Sequence, residues 1–314
     1  MNSLKPLSED PLVSIIVPSY NQGRFIKETI DSILSQDYRP IEVIVIDGAS
    51  TDQTSAVLHQ YDSVPEVTWI SEADSGVVEA VNKGFAQARG EIGAIQSSDD
   101  YYLPGAISGA VGALKENPAA GLVYGDIVKV DAQGGELSRT QLAPFTLEDF
   151  LSIKTWIPQP SAFFRLELAK SLCGWRKEMP YAADTDLWLR MAFKADIRKI
   201  DALFSARRVH EEQRDREAAR IAHDYGLMID SSGDLKLASG RVRRAAVAGK
   251  YLMRVRYNTS GSDFRAALNL LRAGLIYPRS FDIRRLYYST VYFPTRKALS
   301  KGKRLFANFF AGTG

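Results

Sequence analysis

Short β-rich apolar runs alternate, over the first hundred positions, with segments whose apolar residues recur at helical spacing. Val13-Ser14-Ile15-Ile16-Val17-Pro18 is apolar and closed by proline, which predicts a buried parallel strand. Phe25, Ile26, Thr29, Ile30, Ile33 and Leu34 share one helical face, so a crossover helix is expected over 25–36. Residues 41–48 read as a second strand ending in Asp47 and Gly48. Ser50-Thr51-Asp52 can then cap a helix holding Ala56, Val57 and Leu58. A third strand is expected over 67–70. Asp74-Ser75-Gly76 precedes a helix with Val77, Val78, Ala80, Val81 and Phe85 on one face, and a strand over 92–96 delivers Asp99 and Asp100. Such alternation implies an α/β fold with a right-handed, mostly parallel sheet and a site at one edge.

From about residue 121 the alternation weakens. Residues 122–128, with Gly134-Gly135 beyond them, read as an antiparallel hairpin. Residues 161–164 read as a short strand and 184–193 as an amphipathic helix. Past residue 215 the pattern is helical and increasingly basic, so the chain is expected to divide into a main domain over 1–220 and a helical extension over 221–314.

Charge sharpens that division. The net +3 conceals sixteen Lys/Arg against two acids (Asp263, Asp282) in 241–314, while the first 240 residues hold 24 basic and 35 acidic ones. The tail therefore suits an anionic partner. Its interleaved aromatics (Tyr251, Tyr257, Phe264, Tyr277, Tyr287, Tyr288, Tyr292, Phe293) suit basic amphipathic helices on an anionic membrane surface. The bland alternative is a solvated appendage lying on the acidic main domain. Nucleic acid is not expected as a partner, because no recognised motif accompanies the charge. Met1 to Asp10 carries one Lys and no apolar run, which is unlike a secretory signal. No uncharged stretch approaches the ~20 apolar residues of a membrane span. The single Cys173 excludes an internal disulfide, fits a reducing compartment, and is expected to be a small buried residue. A cytoplasmic protein, held peripherally at the inner face of the plasma membrane, is the expectation.

Ile95-Gln96-Ser97-Ser98-Asp99-Asp100-Tyr101-Tyr102 carries the most chemistry. Ligands of open α/β sheets sit beyond the carboxyl ends of strands, and paired carboxylates there can hold a divalent cation together with substrate phosphates. Alone, the pair is weak evidence, because Asp-Asp before a turn is common and usually only solvated or capping.

Five stretches taken together resemble the family 2 glycosyltransferases, which have the GT-A fold. They are residues 13–21 (ending Pro18-Ser19-Tyr20-Asn21), residues 44–52 (with Asp47-Gly48-Ala49-Ser50-Thr51-Asp52), and Ser71-Glu72-Ala73-Asp74-Ser75-Gly76 followed by Asn82-Lys83-Gly84. The others are Ser97-Ser98-Asp99-Asp100 and Ala183-Asp184-Thr185-Asp186-Leu187-Trp188-Leu189-Arg190. The nearest flavour is that of bacterial enzymes building O-antigen and other surface polysaccharides. This resemblance implies transfer of a sugar from a nucleotide-diphosphate-sugar to a hydroxyl of a carbohydrate or lipid-linked acceptor, with inversion. It implies Mn2+ or Mg2+ held by Asp99, Asp100 and His210, with the choice between the two aspartates open, and Asp184 as the general base. Tyr20 would stack on the nucleobase and Asp47 would lie near base or ribose, with Pro18, Asn21, Asp74 and Asp99 also on the donor side. Arg207 or Arg208 would clamp the diphosphate. Trp156-Ile157-Pro158-Gln159-Pro160-Ser161 resembles the acceptor-side segment, where Trp156 would stack on a sugar or equally pack in the core. His210 reads alternatively as a plain solvated histidine, and His59 and His223 as surface residues. Two departures stand out: Ala183 and Gly48 each occupy a place where relatives have an acid. They keep a sugar-nucleotide-binding scaffold open as an alternative. A nucleotidyltransferase would be expected to carry a Gly-rich, Lys-containing loop where Pro18-Ser19-Tyr20-Asn21 stands.

Overall fold

The computed structural model describes residues 4–210, 217–257 and 263–280. In chain order its elements begin β1 (Val13–Ser19), α1 (Ile26–Leu34), β2 (Ile41–Asp47), α2 (Thr54–Leu58), β3 (Val67–Ser71), α3 (Val77–Gln87), β4 (Ile92–Ile95) and β5 (Tyr101–Tyr102). There follow α4 (Ala106–Glu116), β6 (Ala120–Val130), β7 (Glu136–Thr140), α5 (Leu147–Leu151), β8 (Ala162–Arg165), α6 (Leu166–Ser171), α7 (Ala183–Ala192) and β9 (Asp196–Arg208). The last are α8 (Ala218–Ser231), α9 (Gly233–Leu237), α10 (Gly240–Arg256) and α11 (Asp263–Ile276).

Two compact units result, Met1–Thr146 with Thr155–Arg214, and Leu147–Lys154 with Asp215–Gly314. The stretch Leu147–Lys154, assigned to the main domain by sequence, groups instead with the second unit, where the Tyr225 hydroxyl donates to the Leu151 carbonyl at 2.6 Å.

In the first unit, strands β3-β2-β1-β4 are mutually parallel. β8 lies antiparallel to β4, and β6 antiparallel to β8. β9 runs parallel to β6 and antiparallel to β5, while β7 forms a hairpin with β6. Among the described residues six of nine strands therefore run the same way, as a mostly parallel sheet requires. Every residue of β1 and β2 is buried, which is the signature of strands covered on both faces. Helix α1 buries Ile26, Thr29, Ile30 and Ile33, the face its spacing predicted. Gly84 of α3 lies so near β1 that a Cβ there would meet Ile16 Cγ2 at 2.3 Å, so only glycine permits this helix-to-sheet approach. Asn82 exchanges two hydrogen bonds with the Trp175 backbone, at 2.8 and 2.9 Å. Asn82 and Gly84 of the Asn82-Lys83-Gly84 motif thus hold the packing around α3.

The expected hairpin over 122–128 is present, but β6 is longer and also pairs along its length with β9. Nothing in Asp196–Arg208 alternates cleanly, so β9 owes its strand state to that partner. Cys173 departs from expectation: it is exposed, at a left-handed φ of 62° beyond the end of α6. Its neighbour Gly174 donates back to the Ala169 carbonyl at 3.0 Å, and this left-handed helix ending turns the thiol outward.

The described residues of the second unit are helical. Ser232 and Ser239 cap α9 and α10, and α10 buries Ala245, Ala246, Ala248, Gly249 and Leu252. No helix among the described residues is long and apolar enough to cross a membrane. Tyr287, Tyr288, Tyr292 and Phe293 of the basic tail lie outside the described residues.

Candidate active site

The loops after β1 and β2 interlock. Asn21 and Ala49 both adopt left-handed backbone, at φ 53° and 58°. Asparagine tolerates this conformation, whereas alanine gives up roughly 1–2 kcal/mol. Cross-links hold them there. The Asn21 amide donates to Ser50 Oγ at 2.7 Å, and its side-chain oxygen accepts from the Thr51 amide at 2.9 Å. The Gly23 amide donates to Asp52 at 2.9 Å, and Asp52 also accepts from the amide of Thr54, which starts α2. Asp47 is fully buried and accepts from the Ser50 amide at 3.0 Å and the Ser71 hydroxyl at 2.6 Å. Its carboxylate organises the ends of β2 and β3. Pro18 is buried in β1, whereas Tyr20, two residues on, is 61% exposed. Asp74 accepts from the Gly76 amide at 2.8 Å, and a Cβ on Gly48 would stand 3.1 Å from its other oxygen. Gly48 thus leaves room that the Asp74 carboxylate takes. Ser19 Oγ and Gln22 Oε1 are buried here with no hydrogen-bond partner among the described residues.

Asp99 and Asp100 sit in a turn between β4 and β5, not in a strand, so strand alternation does not decide where they point. Pairing of β5 with β9 does. Tyr101 lies opposite Ala206, so residues just before Tyr101 meet residues just after Ala206. Asp100 is buried and accepts the Arg208 amide at 2.8 Å, while its own carbonyl accepts the Thr29 hydroxyl at 2.7 Å. Burial, and then the neighbouring Asp99 charge, push the Asp100 carboxyl well above the ordinary range. Asp99 Oδ2 faces His210 Nε2 at 2.9 Å. The structure therefore brings together Asp99 and His210 and turns Asp100 inward. His210 is not a solvated histidine: its side chain is 7% exposed, with its ring 5.1 Å from that of Phe25.

Arg208 is spent inside the protein. With a side chain 2% exposed, it donates to the carbonyls of Asp99 (3.0 Å), Asp131 (3.4 Å) and Ala132 (3.2 Å) and to the Glu28 carboxylate. Its guanidinium lies 4.8 Å from the Phe25 ring centroid and 5.5 Å from that of Tyr101. It is a strut for the carboxylate turn, whereas Arg207 beside it on β9 is half-buried.

Two glutamines with no role assigned from sequence hold this turn from the other side. Gln159 donates to the Ile95 carbonyl and accepts from the Ser97 hydroxyl at 3.1 Å. Gln96, fully buried, has its amide oriented to donate to the Pro160 carbonyl at 3.0 Å and accept from the Tyr101 amide at 3.1 Å. Trp156, just before Gln159, is half-buried.

Two carboxylates in the first turn of α7 have different fates. Asp184 is half-buried and accepts from the Thr185 amide at 2.7 Å. Asp186 is buried and paired with Arg190 at 2.7 Å, with Arg176 at 3.5 Å. Ala183, 2% exposed, stands where an additional acid would be a buried charge. His59 and His223 have mostly exposed side chains, as expected, and pair with Asp62 and Asp224.

No group of three or more His, Cys, Asp or Glu suited to a metal gathers among the described residues. An adjacent carboxylate oxygen and imidazole nitrogen nevertheless match a divalent ion that draws its remaining ligands from substrate phosphates and water.

The glycosyl transferase family 2 profile matches residues 14–172. The chain is 29% identical over 253 residues to an uncharacterised glycosyltransferase, MT1564, of Mycobacterium tuberculosis (strain CDC 1551 / Oshkosh), which covers 78% of this chain and 93% of that protein. It is 29% identical over 212 residues to an uncharacterised glycosyltransferase of Rickettsia bellii (strain RML369-C), covering 65% of this chain but 30% of the relative. In fold it is similar to S. aureus TarS 1–349 in complex with UDP-GlcNAc (TM-score 0.64, 18% identity, 90% of this chain and 91% of that one). It is also similar to the mannosyltransferase PcManGT of Pyrobaculum calidifontis in complex with GDP-Man and Mn2+ (TM-score 0.58, 22% identity, 96% and 90%). These likenesses establish the GT-A architecture.

Proposed function

This chain belongs to glycosyl transferase family 2, and we propose that it moves a sugar from a nucleotide-diphosphate-sugar to an acceptor hydroxyl with inversion at the anomeric carbon. The observation that carries the reading is the meeting of Asp99 and His210 beyond the carboxyl end of β4, beside the interlocked loops of β1 and β2. Ligands of open α/β sheets bind at such strand ends.

The exposed Tyr20 ring offers a stacking surface for the nucleobase, and the Asp47 and Asp74 carboxylates shape the loops around it. Asp99 and His210 would hold Mn2+ or Mg2+, which when bound neutralises charge on the departing diphosphate. Arg207 adds a guanidinium that suits the same oxygens. Asp184 takes the proton of the acceptor hydroxyl as its oxygen bonds to the anomeric carbon and the bond from that carbon to the diphosphate oxygen breaks. One proton passes to Asp184 and the nucleoside diphosphate leaves as an anion. Support for the metal comes from the chemistry of the donor pair and from the Mn2+ bound by PcManGT.

The acceptor we propose is a growing surface polysaccharide or glycolipid on a lipid carrier. The basic 241–314 segment supports this by suiting attachment to the anionic inner face of the plasma membrane.

The test is release of nucleoside diphosphate from UDP-, GDP- and dTDP-sugars with Mn2+ or Mg2+. Slow, metal-dependent release from one donor, lost in Asp99→Asn, is the expected result. Neither release nor calorimetric binding across the panel would overturn the reading in favour of a scaffold.

A further inference from the structure

Helix α11 has two apolar faces, and among the described residues only one is covered. Ala266, Leu270 and Ala273 are buried. On the opposite side Phe264 is 79% exposed, Leu271 53% and Leu275 74%, with Leu268 half-buried between them. Their spacing of four, three and four residues stacks all four side chains on one narrow stripe at 3.6 residues per turn. An amphipathic surface helix would carry polar residues there. Cations border the stripe instead. Arg265 and Arg272 are exposed along one flank, the Arg272 guanidinium lies 6.0 Å from the Tyr251 ring centroid on α10, and Arg279 is exposed just past the helix. Between residues 240 and 280 nine Lys/Arg stand against the single acid Asp263.

We propose that this face of α11 inserts into the headgroup–acyl boundary of an anionic membrane, with Phe264, Leu268, Leu271 and Leu275 buried and the arginines at the phosphates. The inference deepens, and rests on, the reading that the basic segment attaches the enzyme to such a surface. It adds a buried apolar contact that charge alone does not require. Charge complementarity selects the occupant. A lipid surface supplies both an apolar interior and phosphate anions, whereas a second copy of this chain would set one cationic flank against another.

The test is co-sedimentation of the full chain with phosphatidylcholine vesicles and with vesicles containing about one-third phosphatidylglycerol. Wild type is compared with Phe264→Ser/Leu271→Ser/Leu275→Ser. In parallel, Cys173→Ser/Leu275→Cys carries an environment-sensitive NBD dye at position 275. The triple variant is expected to bind anionic vesicles about tenfold or more weakly, since each apolar side chain forfeits part of its transfer free energy. The dye emission is expected to shift to the blue on binding. Wild-type-like binding by the triple variant, abolished by salt, with no dye shift, would overturn insertion and leave charge attachment standing. No vesicle binding by wild type would overturn both. A dimer seen by light scattering without lipid, and dissolved by the triple variant, would assign the stripe to a second copy instead. If the triple variant fails its thermal melt, the dye signal decides alone.

Discussion

Asp99 Oδ2 and His210 Nε2 lie 2.9 Å apart although 111 residues separate them in the chain. The contact follows from register. β5 begins directly after the carboxylate turn, and its antiparallel pairing with β9 carries Asp99 to the point where β9 ends. If the two side chains share a cation, His210→Gln and Asp99→Asn should each raise the Mn2+ concentration needed for half-maximal turnover. A shift of roughly 10-fold or more is expected for His210→Gln, since even a group that only orients a metal ligand is worth that much. Steady-state rates across a metal titration check this, and an unchanged metal requirement would remove His210 from the site.

Arg208 and Glu28 form a pair in which the cation is sealed and the carboxylate half in water, with side chains 2% and 53% exposed. Glu28→Gln should therefore cost about 1–2 kcal/mol, the worth of a charge-assisted hydrogen bond whose carboxylate keeps solvent. Arg208→Ala should cost more, about 3–5 kcal/mol, because three carbonyls lose their donor and two rings lose their cation. Urea denaturation of both variants and the double variant measures the coupling. A cost for Arg208→Ala below that for Glu28→Gln would refute the strut.

Within the first turn of α7 the two carboxylates should separate by phenotype. Asp184→Asn is expected to lower kcat by roughly 10²–10⁴ with nearly unchanged stability and donor KM. Asp186→Asn should instead cost about 3 kcal/mol, since it leaves the buried Arg190 without its counter-charge. Paired melts and kinetics distinguish them, and equal loss of stability in both variants would contradict the assignment.

Glu42 supplies the pH dependence. Burial by itself would raise its carboxyl, but hydrogen bonds from the Ser14 hydroxyl, the Arg89 amide and the Arg89 guanidinium hold it below the ordinary range. A folded-state value below the unfolded one means that the unfolded chain binds more protons in the window between them. Its contribution is thus complete above the unfolded value and is lost as pH falls through the folded one. Glu42→Gln should be less stable than wild type at neutral pH and lose less on acidification. Parallel stability–pH curves for the two proteins would exclude this.

Local pattern determined the parallel half of the sheet. Strands buried on both faces read as unbroken apolar runs, and the helices between them show their buried face as a period, so β1 to β4 with α1 and α3 were legible from residues 13–96. The chemistry at the strand ends was legible as residue types as well: Tyr20, Asp47, Asp99 and Asp184 stand at element ends, where the chain turns. Their roles were not. Asp99 and Asp100 are adjacent and alike in sequence, and only the pairing of β5 with β9 turns one inward to cap an amide and leaves the other facing His210. Arg207 and Arg208 were likewise equivalent until packing buried one between two aromatic rings. β9 itself, charged and without alternation, could not be read, because its strand state is supplied by β6. Periodicity records only which face of a local element avoids water. Partners more than a hundred residues away are chosen by register, burial and the need to satisfy each buried polar group, and those belong to the folded chain.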